Sequence, residues 1–215
     1  MTHIHERSAR ASGRSAVAVI AALATSALIP GAASAASTPS AVAIANPTFE
    51  TTGPLAPGQC SGGKHCTGQV DLQPGWTLNG VDTGVLKPGP GMYTAAWSGG
   101  NVAFVGGMMD GAGWFTQTLG IMPAGVAYTL AFDAGCRLDK PCGGYRADIY
   151  AGDFSTLVKS VIGGAPTQKA GSFQHVTLNF DSVAGKALII RLTIAKKGKL
   201  SESQFDNVQL SAVPE

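Results

Sequence analysis

Aromatic side chains lie near polar ones in several parts of the chain, a combination that could bind a sugar. An aromatic ring stacks on the apolar face of a sugar, while acids and amides bind its hydroxyls. In YRADIY, residues 145–150, the alternation of a strand would place Arg146, Asp148 and Tyr150 on one face. Core packing is the alternative for such rings, and we expect it for Trp76. The candidate ligand-binding residues are Tyr93, Trp97, Trp114, Tyr145, Arg146, Asp148 and Tyr150.

Residue combinations typical of catalysis are few. Beyond the first 35 residues the chain has two histidines, His65 and His175, and neither lies in a recognisable catalytic motif. Ser98 in AWSGG lacks the nucleophile-elbow pattern, because Ala96 stands where that motif needs glycine. No HExxH or phosphate-binding loop occurs, and no spacing singles out a carboxylate pair for glycoside hydrolysis. The sequence therefore predicts a protein that is not an enzyme, with a hydrolase as a distant possibility.

Four cysteines form two similarly spaced pairs, CSGGKHC and CRLDKPC. The simplest pairing is local, Cys60 with Cys66 and Cys136 with Cys142, which would stiffen two loops. Pairing between the loops remains open. A zinc site is a further alternative, although zinc fingers and ribbons usually separate their ligands by two to four residues.

The elements that would position these residues are strands. Alternating apolar and polar residues, separated by Gly- and Pro-containing turns, indicate about nine or ten short strands. In GWFTQTLG, for example, Phe115 and Leu119 share one face and Trp114 the other. Low charge, 13%, and 29 glycines also fit an extracellular all-β domain. We predict an antiparallel jelly-roll β-sandwich.

The pattern of the first 35 residues predicts that they form a secretory signal peptide. Three arginines precede the apolar run 16–29, and Ala33-Ser34-Ala35 resembles a cleavage site. The run is shorter than the ~20 residues of a membrane span, so we expect no span in the mature chain. Residues 1–35 contain three of the 15 Lys and Arg and one of the 13 Asp and Glu, so the remainder has no net formal charge. This balance argues against a nucleic-acid partner.

Several segments, taken in order, resemble galactose-binding-like jelly-roll domains, which include many carbohydrate-binding modules. The segments are NPTFE, PGWT, FTQTL, YTLAFDAG and FDNVQL. The resemblance covers residues 43–212, with 36–42 as a lead-in. It implies a β-sandwich that binds carbohydrate or extracellular polysaccharide, and a structural surface or matrix protein acting through protein contacts is the alternative.

The end of the chain, AVPE, resembles the start of a PEP-CTERM sorting signal of exported proteins in Gram-negative bacteria. Residues 213–215 would then lie outside the domain, and the protein would be secreted, periplasmic or at the cell surface. The second proline, apolar helix and basic tail of such signals do not follow. We therefore expect either a released protein or a truncated sequence.

The family resemblance also implies a structural calcium ion where the first and last strands meet. Glu50 after the first strand and Asp206 at the start of the last one would supply carboxylates, with Asn46 and Thr48 as further oxygen donors. Without calcium, Glu50 would be exposed and Asp206 would cap a turn.

Overall fold

Alternation of apolar and polar residues produces the strands of this protein. The computed structural model describes residues 37–52, 56–57, 67–69, 74–80, 82–94, 100–108, 111–164, 170–196 and 201–215. Within these ranges every regular element is a strand. The strands are β1 (Ser40–Val42), β2 (Ala56–Pro57), β3 (Thr67–Gln69), β4 (Thr77–Asn79), β5 (Thr83–Lys87), β6 (Val102–Met108), β7 (Gly111–Ala112), β8 (Trp114–Ile121), β9 (Val126–Cys136), β10 (Tyr145–Ala151), β11 (Leu157–Gly163), β12 (Ser172–Asp181), β13 (Ala187–Ile194) and β14 (Ser201–Pro214).

Two antiparallel sheets form a sandwich, as predicted. The larger sheet has the strand order β12-β9-β14-β6-β5-β3-β2, with β1 also paired to β14 and β7 to β6. The smaller sheet has the order β11-β10-β13-β8-β4. The last strand, β14, therefore lies in the middle of the larger sheet, between β9 and β6.

The hydrophobic core lies between the sheets and draws one face from each. In β9, Tyr128, Leu130 and Phe132 are buried there, and alternate residues of β14 and β13 do the same. Trp76 is buried, as expected, and its ring centroid lies 5.5 Å from that of Phe49. Because side chains alternate along a strand, the residues between these core positions point to the outer face of each sheet.

The sheet extends past the domain boundaries expected from the sequence. Ser40–Val42 of the presumed lead-in pairs with β14, and Val213 and Pro214 pair with β9. The amide of Glu215 also donates to the carbonyl of Gly125 at 2.9 Å. Residues 40–42 and 213–214 are thus part of the domain, which begins earlier and ends later than 43–212.

Other sequence expectations concern the cysteines and the leader. A disulfide joins Cys136 to Cys142. The other cysteines, Cys60 and Cys66, and the predicted signal peptide 1–35 lie outside the described residues. In the ranges that the structure covers, no helix has the length and apolar character needed to cross a membrane.

Candidate functional site

The outer face of the larger sheet carries a row of three acids and one amide, which we call the acid face: Asp133, Glu202, Gln204 and Asp206. Strand pairing places them side by side, because Asp206 pairs with Asp133, and Gln204 pairs with Gly135 on one side and Phe104 on the other. Residues directly opposite each other in an antiparallel pair project to the same face. Glu202, Gln204 and Asp206 are all buried.

A second apolar cluster lies on this same outer face, which is unusual for the surface of a sandwich. Its members are Leu86, Met92, Tyr93, Val102 and Phe104, with Phe173 packed against them. The ring of Phe173 covers Gly135, where a Cβ would come within 2.5 Å of it. The ring centroids of Tyr93 and Phe173 are 5.1 Å apart. The acid face is therefore bordered by apolar and aromatic side chains.

Residues 88–94, which we call the strap, cross this face from β5 toward β12. At its far end, Thr94 donates to the carbonyl of Gly171 from both its amide, at 2.8 Å, and its hydroxyl, at 2.9 Å. The carbonyl of Met92 accepts from the amide of Leu138 at 2.8 Å. Gly171 has φ +76°, and a Cβ there would come within 2.8 Å of Leu138 and Thr94. Glycine thus permits the strap to close on the sheet.

Asp206 is the most perturbed acid on the face. Burial raises the pKa of its carboxyl to about 7, and the negative charges of Asp133 and Glu50 add to this effect, although a hydrogen bond from the Asn207 amide opposes it. The exposed fraction of Asp206 is 6%. An acid with such a pKa keeps its proton below about pH 7 and can donate it to a bound molecule.

The surroundings of Asp206 are fixed by its neighbours. The register between β14 and β9 shifts after Asp206, and Asn207 adopts φ 50° there. This irregularity lets Asn207 donate from Nδ2 to Asp133 Oδ2 at 2.8 Å. His175 Nδ1 lies 2.9 Å from Asp133 Oδ1. Glu50 Oε1 accepts from the amide of Asn101 at 2.8 Å.

A groove of about 580 Å³ begins beside these acids. It lies between residues 39–48 and the strands β9 and β14, and Ala131, Asn207 and Gln209 are among its lining residues. Its lining is mostly apolar, and its volume falls in the range of small-molecule sites, ~300–1,000 Å³. Because Asn207 both lines the groove and binds Asp133, the groove adjoins the acid face.

At the opposite end of the face, Glu202 is held by cations from the disulfide loop. Arg137 Nη1 lies 3.0 Å from Glu202 Oε1, and Lys140 Nζ lies 3.2 Å from Oε2. Arg137 also binds Asp139 through two nitrogens. Burial lowers the pKa of Arg137, but its bonds and charge pairing with Asp139 and Glu202 outweigh this and raise it. These contacts fix Glu202 as an ionic anchor.

The outer face of the smaller sheet, which we call the arginine face, holds Asp148, Arg146, Arg191, Tyr150 and Trp114. The Asp148 side chain is fully buried and accepts from Arg146 at 2.7 Å, from Ser160 at 2.6 Å, and from two nitrogens of Arg191. The Arg191 guanidinium lies 4.8 Å from the Tyr150 ring centroid and 6.0 Å from that of Trp114. Four of the seven predicted ligand-binding residues therefore meet on this one face.

The other predicted ligand-binding residues lie elsewhere. Tyr145 is not a surface residue: it is buried in the core with its ring 5.8 Å from Phe132, because it shares a strand face with Ala147 and Ile149. Tyr93 is buried in the apolar cluster of the acid face. Trp97 lies outside the described residues.

The four predicted calcium ligands are only partly brought together. Glu50 and Asp206 approach closely enough for the charge of one to affect the pKa of the other. Asn46, however, binds Thr51 through both ends of its side-chain amide, and Thr48 lines the groove. Across the described ranges, no three His, Cys, Asp or Glu side chains are placed to hold one metal ion.

Sequence reasoning missed Asp133, Arg137, Glu202 and Gln204 as site residues. A signal was present, because SESQFDN places three polar residues, Glu202, Gln204 and Asp206, two apart in a strand of a chain with few charges. Such a pattern predicts a polar strand face. It does not reveal that the strap and Phe173 bury that face, since those contacts join distant parts of the chain.

Comparisons with known proteins identify relatives of this chain. The family model described as HpiC1-like, HpiC1 cyclase, matches residues 40–211. No curated protein matches. The apo form of a cyclase from Fischerella sp. is 27% identical with a TM-score of 0.64, over 82% of this chain and 97% of that one.

Two further solved structures contain bound molecules. The Stig cyclase Fisc from Fischerella sp. TAU, in complex with (3Z)-3-(1-methyl-2-pyrrolidinylidene)-3H-indole, is 27% identical with a TM-score of 0.65, over 82% of this chain and 99% of that one. A cyclase from Fischerella sp. TAU in complex with 4-(1H-indol-3-yl)butan-2-one is 28% identical with a TM-score of 0.63, over 81% and 98%.

These matches correct the function expected from sequence. The resemblance to galactose-binding-like domains gives the β-sandwich correctly, but the expectations of a non-catalytic module and a polysaccharide partner are wrong, because the matched family and structures are cyclases. The PEP-CTERM reading is also wrong: the family model covers the chain to residue 211, and Val213 and Pro214 continue β14. The chain belongs to the HpiC1-like cyclase family.

Proposed function

We propose that this protein is an enzyme that closes a ring in a small unsaturated molecule, using Asp206 as the proton donor. The observation that carries the proposal is a buried carboxyl on the acid face, beside an apolar cluster, in a chain of a cyclase family. The pKa of about 7 supports it, since a donor works best when its pKa lies near the working pH.

The proposed reaction is an isomerisation. The Asp206 carboxyl protonates a carbon–carbon double bond of the substrate, and the electron-poor carbon that results is attacked by a second unsaturated carbon, forming the new ring bond. A proton then leaves the ring and returns to the Asp206 carboxylate, so that the product has the mass of the substrate. The apolar cluster excludes water, which would otherwise trap the cationic intermediate.

An indole-type ring is the proposed substrate class. One of the similar cyclases was solved with a 3H-indole compound and another with a 1H-indole compound. On this chain, Tyr93, Phe104 and Phe173 supply aromatic surface on the acid face, and aromatic pairs contribute ~0.5–1.5 kcal/mol beyond burial of their area. The adjoining groove of about 580 Å³ offers space for a substituent.

Turnover of indoles that carry an unsaturated side chain tests the proposal. The purified protein is incubated with a panel of such compounds, and products of unchanged mass and altered retention are sought by liquid chromatography and mass spectrometry. We expect a cyclised isomer from at least one compound, formed by wild type and not by Asp206→Asn. Equal product from wild type and from Asp206→Asn would contradict the assignment of the donor.

Calcium is a second proposal for the same pair of acids, favoured by the mutual approach of Glu50 and Asp206. Burial contributes most to the raised pKa of Asp206, and a cation between the two acids would offset the part that comes from the charge of Glu50. As an ionised ligand, Asp206 could not donate a proton, so the two roles exclude each other. We favour the proton donor because Asn46 binds Thr51 through both ends of its side-chain amide and Thr48 lines the groove.

Melting curves with calcium and with EGTA separate the two roles. The proton-donor proposal expects that wild type melts at the same temperature with calcium as with EGTA. It expects the same of Asp206→Asn. A calcium-dependent rise in wild type that is lost in Asp206→Asn would support calcium instead.

Export is proposed for the location. A disulfide such as Cys136–Cys142 persists in oxidising compartments, and the predicted signal peptide 1–35 would deliver the chain there. Cell fractionation tests this proposal, with the expected result that the mature chain is found outside the cytoplasm.

A further inference from the structure

Gln204 lies at the centre of the acid face and has no exposed surface. Its pairing partners are Phe104 and Gly135, and the ring of Phe173 covers Gly135. The apolar cluster that contains Phe104 and Phe173 therefore borders the strand position of Gln204. A buried glutamine in such a place needs partners for both ends of its side chain.

Among the described residues, only the Nε2 end of the Gln204 amide has a hydrogen-bond partner. Its Nε2 donates to Glu202 Oε1 at 2.7 Å. Its buried Oε1 accepts no hydrogen bond from any donor in the described structure. An unsatisfied buried acceptor costs ~1–3 kcal/mol, so its presence calls for an explanation.

The orientation of this amide is fixed by chemistry. Glu202 can only accept when ionised, and Arg137 and Lys140 hold it as an ionic partner at 3.0 Å and 3.2 Å. The end of Gln204 that faces Glu202 must therefore be its NH₂ group. The Oε1 atom is therefore the end of the amide that does not bind Glu202.

We infer that Gln204 Oε1 accepts a hydrogen bond from the ring N–H of the substrate and so selects indole-type rings that carry that hydrogen. The inference rests on the proposed function and deepens it by naming a specificity-determining residue. Gln204 and Asp206 are two apart on one strand face, about 7 Å along the strand. An acceptor and a proton donor at that separation can act on opposite ends of a fused ring and its side chain.

A site with a buried acceptor should discriminate between ligands more strongly than a purely apolar pocket does. An apolar pocket discriminates weakly between isosteres, whereas a buried group that must bond an N–H rejects analogues without it. Leaving the acceptor unsatisfied would cost ~1–3 kcal/mol, which corresponds to a preference of roughly 5- to 150-fold.

Binding of three matched ketones to the whole protein, measured by titration calorimetry, tests the inference. The probes are 4-(1H-indol-3-yl)butan-2-one, its 1-methyl derivative, and the counterpart in which 1-benzothiophene replaces indole without an N–H. We expect wild type to bind the indole roughly 5- to 150-fold more tightly than the benzothiophene. In Gln204→Met the ratio should fall to near one, while Lys159→Met, at an exposed position of β11 in the smaller sheet, keeps the wild-type ratio.

The outcomes separate the inference from the proposed function. Binding of all three probes by wild type with equal affinity would overturn the role of Gln204 and leave the indole-binding proposal standing. An unchanged ratio of indole to benzothiophene affinity in Gln204→Met would also overturn the role of Gln204 and leave the indole-binding proposal standing. If no probe binds, the indole-type substrate fails and the inference fails with it. Should Gln204→Met not fold, the wild-type comparison of indole with benzothiophene still decides.

Discussion

The two outer faces of the sandwich each bury an aspartate, and they treat it in opposite ways. On the arginine face, burial raises the pKa of Asp148, but hydrogen bonds from Ser160, Arg146 and Arg191 and the charge of Arg191 outweigh it, so the pKa is lowered. On the acid face, burial and the charges of Asp133 and Glu50 raise the pKa of Asp206 to about 7. At similar burial, the aspartate is therefore more readily ionised than usual on the arginine face and keeps its proton to about pH 7 on the acid face.

The two aspartates differ because Asp148 has cationic partners and Asp206 has acidic neighbours. Asp148 joins β10, β11 and β13, because its partners come from all three strands. Asp206 has no comparable cation within the described part of the acid face, since Arg137 and Lys140 are engaged by Glu202. A paired carboxylate stabilises the sheet, whereas a crowded one keeps its proton.

Activity gives the largest expected contrast between the faces. Asp206→Asn should lower kcat by about 10²–10⁴-fold, the usual contribution of a general acid, without loss of stability. Asp148→Asn is the matched variant on the arginine face, and it should leave turnover nearly unchanged. Steady-state kinetics with the first compound turned over provides the measurement. A similar loss of kcat in both variants would contradict the proposal that only the acid face takes part in turnover.

The loss of stability should be larger for a change at Asp148 than for the same change at Asp206. Asp148→Ala leaves Arg146 and Arg191 without their shared acceptor and should lower the free energy of unfolding by about 2–3 kcal/mol. This is less than the ~3–5 kcal/mol of a fully buried pair, because both arginines are partly exposed. Urea unfolding measures the cost, with Asp206→Ala as the control. A larger loss in the control would contradict the structural role of Asp148.

The disulfide should matter for the acid face and not for the arginine face. Replacing Cys136 and Cys142 by alanine opens a loop with a sequence separation of 6. Loop entropy predicts a loss of about 2 kcal/mol in unfolding free energy. Arg137 and Lys140 lie in that loop, so Glu202 should also lose its fixed partners. The cost of Asp148→Ala should be the same in both backgrounds, which a double-mutant cycle would check.

The pH dependence of stability should have opposite signs for the two aspartates. The raised pKa of Asp206 means that the unfolded chain loses this proton first, so its contribution falls as pH rises from the ordinary value of 3.8 to about 7. The lowered pKa of Asp148 makes its contribution present above 3.8 and lost as pH falls below that value. Unfolding free energies of wild type minus each Asn variant should therefore slope in opposite directions. Parallel slopes would contradict the contrast.

The sequence predicted the fold well because its signals are local. Alternation in 126–135, 173–181 and 187–195 identified long strands, and Gly- and Pro-containing turns separated them. It also placed Arg146, Asp148 and Tyr150 on one face, since that follows from strand periodicity alone. The sign of each pKa shift could not be read in this way, because it depends on Arg191, Glu50 and Asp133, which lie on other elements.

The chain by itself determined a β-sandwich, the alternating faces of its strands, the similarly spaced cysteine pairs and the importance of Asp206. Only the tertiary structure decided the surroundings of Asp206, on which its proposed role as a proton donor rests. The strap and Phe173 cover the outer face of a sheet that periodicity alone would leave open to water, and β14 inserts between β9 and β6, which sets Asp206 against Asp133. A carboxyl becomes a proton donor through its surroundings, and those surroundings come from segments far apart in the chain.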